Sequence, residues 1–177
     1  MIATERLLLR SWDDRDRKAY HAIKSDPRVM ATLGPPQRRA ESDATVDRLM
    51  AREAQDGYTF WAMERRADRV LLGYCGFLLA TADFPIAGEV EIGWGLGSAY
   101  WGQGYAREAA EAALAWGWAN TDRERIVAIT TPGNLRSWGL MERLGMTRVP
   151  DGDFDHPSLA EGDPLRRHVR YRIDRPR

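Results

Sequence analysis

Residues 100–118 read YWGQGYAREAAEAALAWGW, a Gly-Gln-Gly turn running straight into an alanine-rich segment. Ala106, Ala110 and Ala113, with Leu114 and Gly117, fall on one face of a helix over 106–119. Small residues on that face let the helix lie close on a sheet. The turn before it is bare backbone at Gly102 and Gly104. Such a turn can aim several N–H groups at one point, and the helix N-terminus adds partial positive charge, which is how phosphates are held. Hydrogen bonds to a charged group contribute roughly 1.5–3 kcal/mol each. Glu108 tempers this reading, because a first-turn carboxylate already complements the helix dipole. On this stretch alone, a simple turn is an equal alternative.

Residue identity excludes the two commonest nucleotide loops. A P-loop needs Gly-Lys-Ser/Thr, and Arg-Glu-Ala stands there instead. A dinucleotide fingerprint needs a third glycine, and Arg107 occupies that place. A nucleotide-binding domain is therefore disfavoured.

The neighbouring segments give a mixed α/β order. Residues 5–10 (ERLLLR) predict a strand, and Asp13 or Asp14 can cap a helix reaching Lys24. Asp26-Pro27 breaks it, the segment 29–39 reads as a loop with a Pro-Pro turn, and 41–54 predicts a second helix. Residues 58–64 and 70–80 predict a hairpin, and 89–96 a third β-rich run. After the alanine helix come a strand at 125–130 and a helix capped by Asn134 and ended by Gly145. A strand near Met146, a polar loop to Pro164 and a last strand complete the chain. This is one mixed sheet with helices on both faces.

The whole composition fits one soluble domain. The chain has 177 residues, and its 26 basic and 26 acidic side chains cancel, which argues against a nucleic-acid partner. Arginines crowd the end, RRHVRYRIDRPR, but alternation of Val169, Tyr171 and Ile173 reads as a strand. The lone Cys75 lies in an apolar run with no basic neighbour, so it reads as a buried thiol. No zinc-type cluster, signal-peptide core or membrane-length apolar run is present, so no metal, no membrane and a cytoplasmic location are expected.

GQGYAREA after EIGWGL, followed by PGNLRSWGLMERLGM, resembles the GNAT superfamily of acetyl-CoA-dependent N-acetyltransferases. The opening TERLLLR and the ending DHPSL…LRRHVRYRI resemble the branch of ribosomal-protein N-terminal acetyltransferases. The resemblance spans nearly the whole chain, 1–177. It implies a single-domain, mostly antiparallel twisted sheet with a splayed central strand pair. It implies acetyl-CoA as cosubstrate, held at its pyrophosphate by Trp101, Gly102, Gln103, Gly104, Tyr105 and Ala106. Trp101 departs from the Gln or Arg that opens the family's loop signature. Backbone groups around Trp94, Gly95 and Leu96 would pair with the pantetheine arm and polarise the thioester.

Acetyl transfer requires a neutral amine, donors for the oxyanion and a proton for the thiolate. At pH 7, an alkylamine of pKa ~10.4 costs roughly 4.6 kcal/mol to deprotonate, and an α-amine near 7.8 about 1 kcal/mol. Glu91 is the candidate base, acting through water, with Glu89 on the same strand face as alternate and His156 as a third choice. The family's usual tyrosine falls on Met141, which has no proton to give. The ribosomal branch's serine falls on Ser137, the candidate acid. Asn134 matches the asparagine that touches the coenzyme, besides being an N-cap. Trp12, Trp94 and the loop 30–39 are candidate walls of the acceptor pocket. The acceptor is a primary amine, on a small molecule or a protein N-terminus, and the assembly a monomer or homodimer. The alternative is a non-catalytic acyl-CoA-binding or sensor module.

Overall fold

A computed structural model describes residues 1–176. The chain runs through β1 (Ile2–Ala3), β2 (Leu7–Arg10), α1 (Arg17–Lys24), α2 (Pro27–Met30), α3 (Arg39–Asp56), β3 (Phe60–Arg65), β4 (Leu71–Leu79) and β5 (Val90–Leu96). It continues through α4 (Tyr105–Asn120), β6 (Arg125–Thr130), α5 (Leu135–Arg143), β7 (Thr147–Arg148), β8 (Phe154–Asp155) and β9 (Arg167–Asp174).

The strands form one sheet in the order β1-β2-β3-β4-β5-β6-β9-β7, with β8 added on β9. Every pairing is antiparallel except β5 with β6. That parallel contact is a single register position, Glu91 opposite Val127. Beyond it the two strands part, so the middle of the sheet opens toward its C-terminal end.

The opening has an independent cause in the ladder. Antiparallel partners alternate between bonded and non-bonded pairs. Gly97 N–H donates to Leu72 O and Ala80 N–H to Glu89 O, which sets Glu91, Gly93 and Gly95 to bond β4. Trp94 and Leu96 therefore aim their backbone groups at the β6 side, where no strand meets them.

Helix α4 covers one face. Ala109, Ala110 and Ala113 are fully buried, and a Cβ on Gly117 would meet the Phe77 ring at 2.9 Å. Leu7, Leu9, Met63, Leu72, Phe77, Ile92 and Ile126 fill the core beneath it. A methyl-scale enlargement on that alanine stripe would overpack the core, at a cost of about 1–3 kcal/mol. The other face carries a second cluster, Trp12, Tyr20, Val46 and Leu49, under α1 and α3.

Several boundaries differ from the sequence expectation. Residues Asp14–Asp16 form a 3₁₀ turn, so α1 starts at Arg17. Part of the expected loop is helical: Asp26 accepts from Arg28 N–H and starts α2, with Pro27 at its first position, where no donor is needed. α3 begins two residues early because the Glu41 carboxylate returns to Arg38 N–H at 2.7 Å. Glu89 stands just outside β5.

Candidate active site

The glycine turn is built by backbone conformation. Gly102 and Gly104 have φ of +74° and +82°, the left-handed region that favours glycine. Gly104 is the N-cap of α4 and offers no side chain to cap it. Among the described residues, no backbone N–H from position 102 to 107 has an acceptor. This helix start is open.

Glu108, the objection raised by the sequence, is removed from play. Its carboxylate accepts from Thr4 Oγ1 at 2.5 Å, Arg6 N–H at 2.9 Å and Arg6 Nε at 2.6 Å. Arg6 also donates to Gln103 O at 3.0 Å and stacks over Tyr105 at 4.5 Å. The N-terminal segment thus neutralises the acid and braces the loop. Nothing in TERLLLR announces this, because the partners are about a hundred positions apart.

Trp101 is half-buried and its Nε1–H donates to Leu96 O at 3.0 Å. Arg136, in the first turn of α5, lies over its ring at 4.5 Å. The turn before α4 and the start of α5 therefore face one another across the opening. Of the groups aimed at it, Leu96 O is taken, while Leu96 N–H and the Trp94 N–H and C=O remain. The backbone of Gly95 pairs with Tyr74 instead, and a Cβ there would strike the Tyr74 ring at 2.6 Å. Thr131, at the end of β6, adds a buried hydroxyl with no partner.

α5 starts differently. Asn134 Oδ1 accepts from Ser137 N–H at 3.3 Å and Asn134 Nδ2 donates to Thr130 Oγ1 at 3.1 Å. Both ends of this amide are engaged within the protein. Ser137 is half-buried, and among the described residues its hydroxyl has no partner. Met141 is 2 % exposed and belongs to the α4-side core.

Glu91 lies on the opposite face of β5 from Ile92, together with Gly93 and Gly95. Among the described residues its carboxylate is in no hydrogen bond or ion pair. It is half-buried, and desolvation by the surrounding protein raises its pKa to about 7. Tyr74 shares this face, its ring stacked on Phe60 at 5.7 Å. Burial first, and then the Glu91 charge, push Tyr74 up to about 12. Its place beside Gly95 was invisible in the sequence, because strand alternation does not reveal cross-strand neighbours.

The remaining candidates are structural. Glu89 holds Arg170 at 2.8 Å. His156 packs in an aromatic cluster with Phe84, Phe154 and His168, and burial lowers its pKa. Trp12 is core and not an acceptor wall: it is 4 % exposed and its Nε1–H donates to Phe60 O. Trp94 packs toward the α4-side core. Cys75 is fully buried, and desolvation pushes its thiol up, against a nucleophilic role. The terminal arginines pair with Asp155, Glu89 and Asp174, and Arg177 lies outside the described residues. The open depressions around Asn120–Asp122 lie at the far end of α4, about 24 Å from the glycine turn at 1.5 Å per residue. Among the described residues, no helix is long and apolar enough to cross a membrane and no group of three potential ligands could hold a metal.

A sheet that parts between its one parallel pair, beside an open helix start, goes here with a sequence match to the acetyltransferases. The Acetyltransferase (GNAT) domain family matches residues 6–147, and the chain belongs to that family. It is 32% identical over 149 residues to the uncharacterized N-acetyltransferase YnaD of Bacillus subtilis, covering 83% of this chain and 82% of the relative. A GNAT-family acetyltransferase from Bacillus anthracis superposes with a TM-score of 0.80 at 27% identity, over 98% of both chains. RimL, a ribosomal L7/L12 α-N-protein acetyltransferase solved with coenzyme A, has the same fold at TM-score 0.77 and 20% identity, over 97% of this chain and 95% of its own. The ribosomal branch is thus one of several fold neighbours.

Proposed function

We propose that the protein transfers an acetyl group from acetyl-CoA to a primary amine by direct attack in a ternary complex. The observation that carries this is the open run of backbone N–H groups at 102–107, next to Trp101, which is tied to the end of β5 where that strand parts from β6. Those amides and the positive end of α4 suit the coenzyme pyrophosphate. Trp101 and Arg136 border the same entrance. The free groups of Trp94 and Leu96 suit the pantetheine amides, and in this reading Trp94 N–H donates to the thioester oxygen as charge develops there.

Glu91 acts as base. A carboxyl with pKa near 7 is poised to accept the amine proton, through a water, at neutral pH. The amine nitrogen then attacks the carbonyl carbon, the C–S bond breaks, and the thiolate takes a proton. Ser137 Oγ–H, unpartnered at the start of α5, supplies that proton and recovers one from solvent. Asn134 orients this turn. A protein N-terminus and a small-molecule amine both fit the chemistry. The reading implies a cytoplasmic monomer or homodimer.

One observation favours the sensor alternative: the family's tyrosine place is filled by Met141, sealed in the core. Coenzyme titration and a thiol-release assay across an amine panel separate the two. Binding with turnover supports the transferase. Binding without turnover of any amine supports the sensor, and absence of acetyl-CoA binding at tens of micromolar contradicts both.

A further inference from the structure

One patch of the sheet is open where it should be sealed. β4 and β5 are central strands, and Cys75, Phe77 and Ile92 on their α4 side are at most 1 % exposed. A sheet covered by helices on both faces should bury the alternate residues equally well. Here it does not. On the Glu91 face, Tyr74, Leu78, Glu91, Gly93 and Gly95 are all half-buried, and so is Phe60 on β3. Solvent therefore reaches the middle of the sheet beside Glu91. Desolvation still raises both Glu91 and Tyr74, as expected for groups that line a narrow cleft with apolar walls.

Two rings pave this cleft. Phe60 stands opposite Gly76 on β4, and Gly76 opposite Gly93 on β5. With two glycines in that row, the Phe60 ring lies across β4 and its tip rests on Gly93, where a Cβ would meet it at 2.7 Å. Tyr74 covers Gly95 in the same way, and the two rings stack on one another. Trp12 Nε1–H holds the Phe60 carbonyl at 2.6 Å, and Tyr20 braces Tyr74 edge-on at 6.2 Å. The floor is thus fixed before a ligand arrives. Leu78 stands opposite Glu91, and Gly93 follows Glu91 on the same face, about 7 Å along the strand. The carboxylate is therefore at the edge of an apolar floor.

Charge around this floor is already spent. Glu89, before β5, holds Arg170 at 2.8 Å. Asp26, beside the end of β5, holds Arg28 at 3.0 Å and accepts from Ser98 Oγ at 2.6 Å. In the acidic loop, Arg148 neutralises Asp153, and Arg166 and Arg167 neutralise Asp155. None of these carboxylates is left for a second ammonium, so a polyamine gains little here.

We infer that Phe60 and Tyr74 form the acceptor subsite and select a primary amine carried on an apolar group the size of an aromatic ring, which packs on these rings while its nitrogen stands beside Glu91. The inference rests on the transferase reading above and narrows its acceptor class. The ring-sized group belongs either to a small arylalkylamine or to the first side chain of a peptide.

The test measures binding to the enzyme–CoA complex by calorimetry, so a slow acceptor still reports. One arm compares phenethylamine with ethylamine and putrescine. The other compares the dipeptide amides of phenylalanyl-alanine and glycyl-alanine. The arm that shows the preference identifies the source of the ring. Wild type is expected to favour the aromatic member of at least one arm by roughly 10- to 100-fold. Phe60→Ala should collapse that ratio toward one, and Phe60→Tyr should keep most of it. Gly93→Ala, which pushes the Phe60 ring off its seat, should reduce it as well. Thermal melts check that the variants fold, and the wild-type ratios decide even where one does not. Equal binding of aromatic and small members by wild type, a preference for putrescine, or a ratio unchanged in folded Phe60→Ala overturns the inference. Binding of no member also overturns it. Coenzyme titration of the wild type is run alongside: failure there sinks the transferase reading itself, whereas normal coenzyme binding confines the failure to the aromatic floor.

Discussion

Two helices begin beside the gap in the sheet, and they begin in opposite ways. α4 starts from a left-handed glycine with no side-chain cap, and its first N–H groups are open. α5 starts from Asn134, whose side chain closes back on Ser137 N–H. An N-cap satisfies a helix from within, while its absence leaves the backbone and dipole for a ligand. The open start thus suits grip on an anion. The closed start suits holding one side chain, Ser137, still for chemistry. Glu91 lies on β5, on the sheet face opposite the core that α4 covers.

The largest effect should come from closing the open start. Gly104→Val forces a β-branched residue to φ near +82° or reorients the loop. Loss of two or more charge-assisted hydrogen bonds should weaken acetyl-CoA binding by roughly 1,000-fold, read by calorimetry. Retention of micromolar affinity would show that the loop is only a turn.

Next is the carboxylate on β5. Glu91→Gln should lower kcat/KM by roughly 100-fold while coenzyme binding persists. In wild type the rate should rise with pH through an apparent pKa near 7, since the base must be ionised, and this limb should vanish in the variant. Stability should move oppositely. The folded pKa is raised from 4.5 to about 7, so the native state holds a proton that the unfolded chain has released. Melting temperature should therefore fall as pH rises through that window, and less so in Glu91→Gln. An acid limb that survives the substitution would assign the base elsewhere.

Ser137→Ala should slow single-turnover acetyl transfer by roughly 10-fold, a modest effect because water can also protonate a thiolate. An unchanged single-turnover rate removes Ser137 from the chemistry. The smallest effect belongs to the cap itself. Asn134→Ala should cost about 1 kcal/mol of stability, lowering the melting temperature by about 2–4 °C. Coenzyme affinity should drop far less than in Gly104→Val; an equal drop would erase the distinction between the two helix starts.

Local signals made the frame legible. The 3.6-residue alanine stripe placed α4 on the sheet, period-two alternation exposed β9 beneath its arginines, and Gly-Gln-Gly marked the loop. The parting of β5 from β6 was expected only through the family resemblance, and the parallel register at Glu91 was not foreseen. The α2 turn was missed because Asp26-Pro27 signals a helix break and a helix start alike. Arg6 and Tyr74 were missed for another reason. Their roles come from partners distant in sequence, which no spacing rule encodes. Glu108 was weighed against the loop because dipole complementarity is local, whereas the arginine that occupies it is not.

The central claim is that the open backbone of 102–107 holds the coenzyme. Amide ¹⁵N–¹H spectra recorded while acetyl-CoA is added test it residue by residue. The account predicts the largest shifts at Gly102, Gln103, Gly104, Tyr105 and Ala106, with Trp94 and Leu96 moving in step, and a smaller response at Ser137, whose N–H is already bonded. Saturable binding that leaves 102–107 unmoved would contradict it.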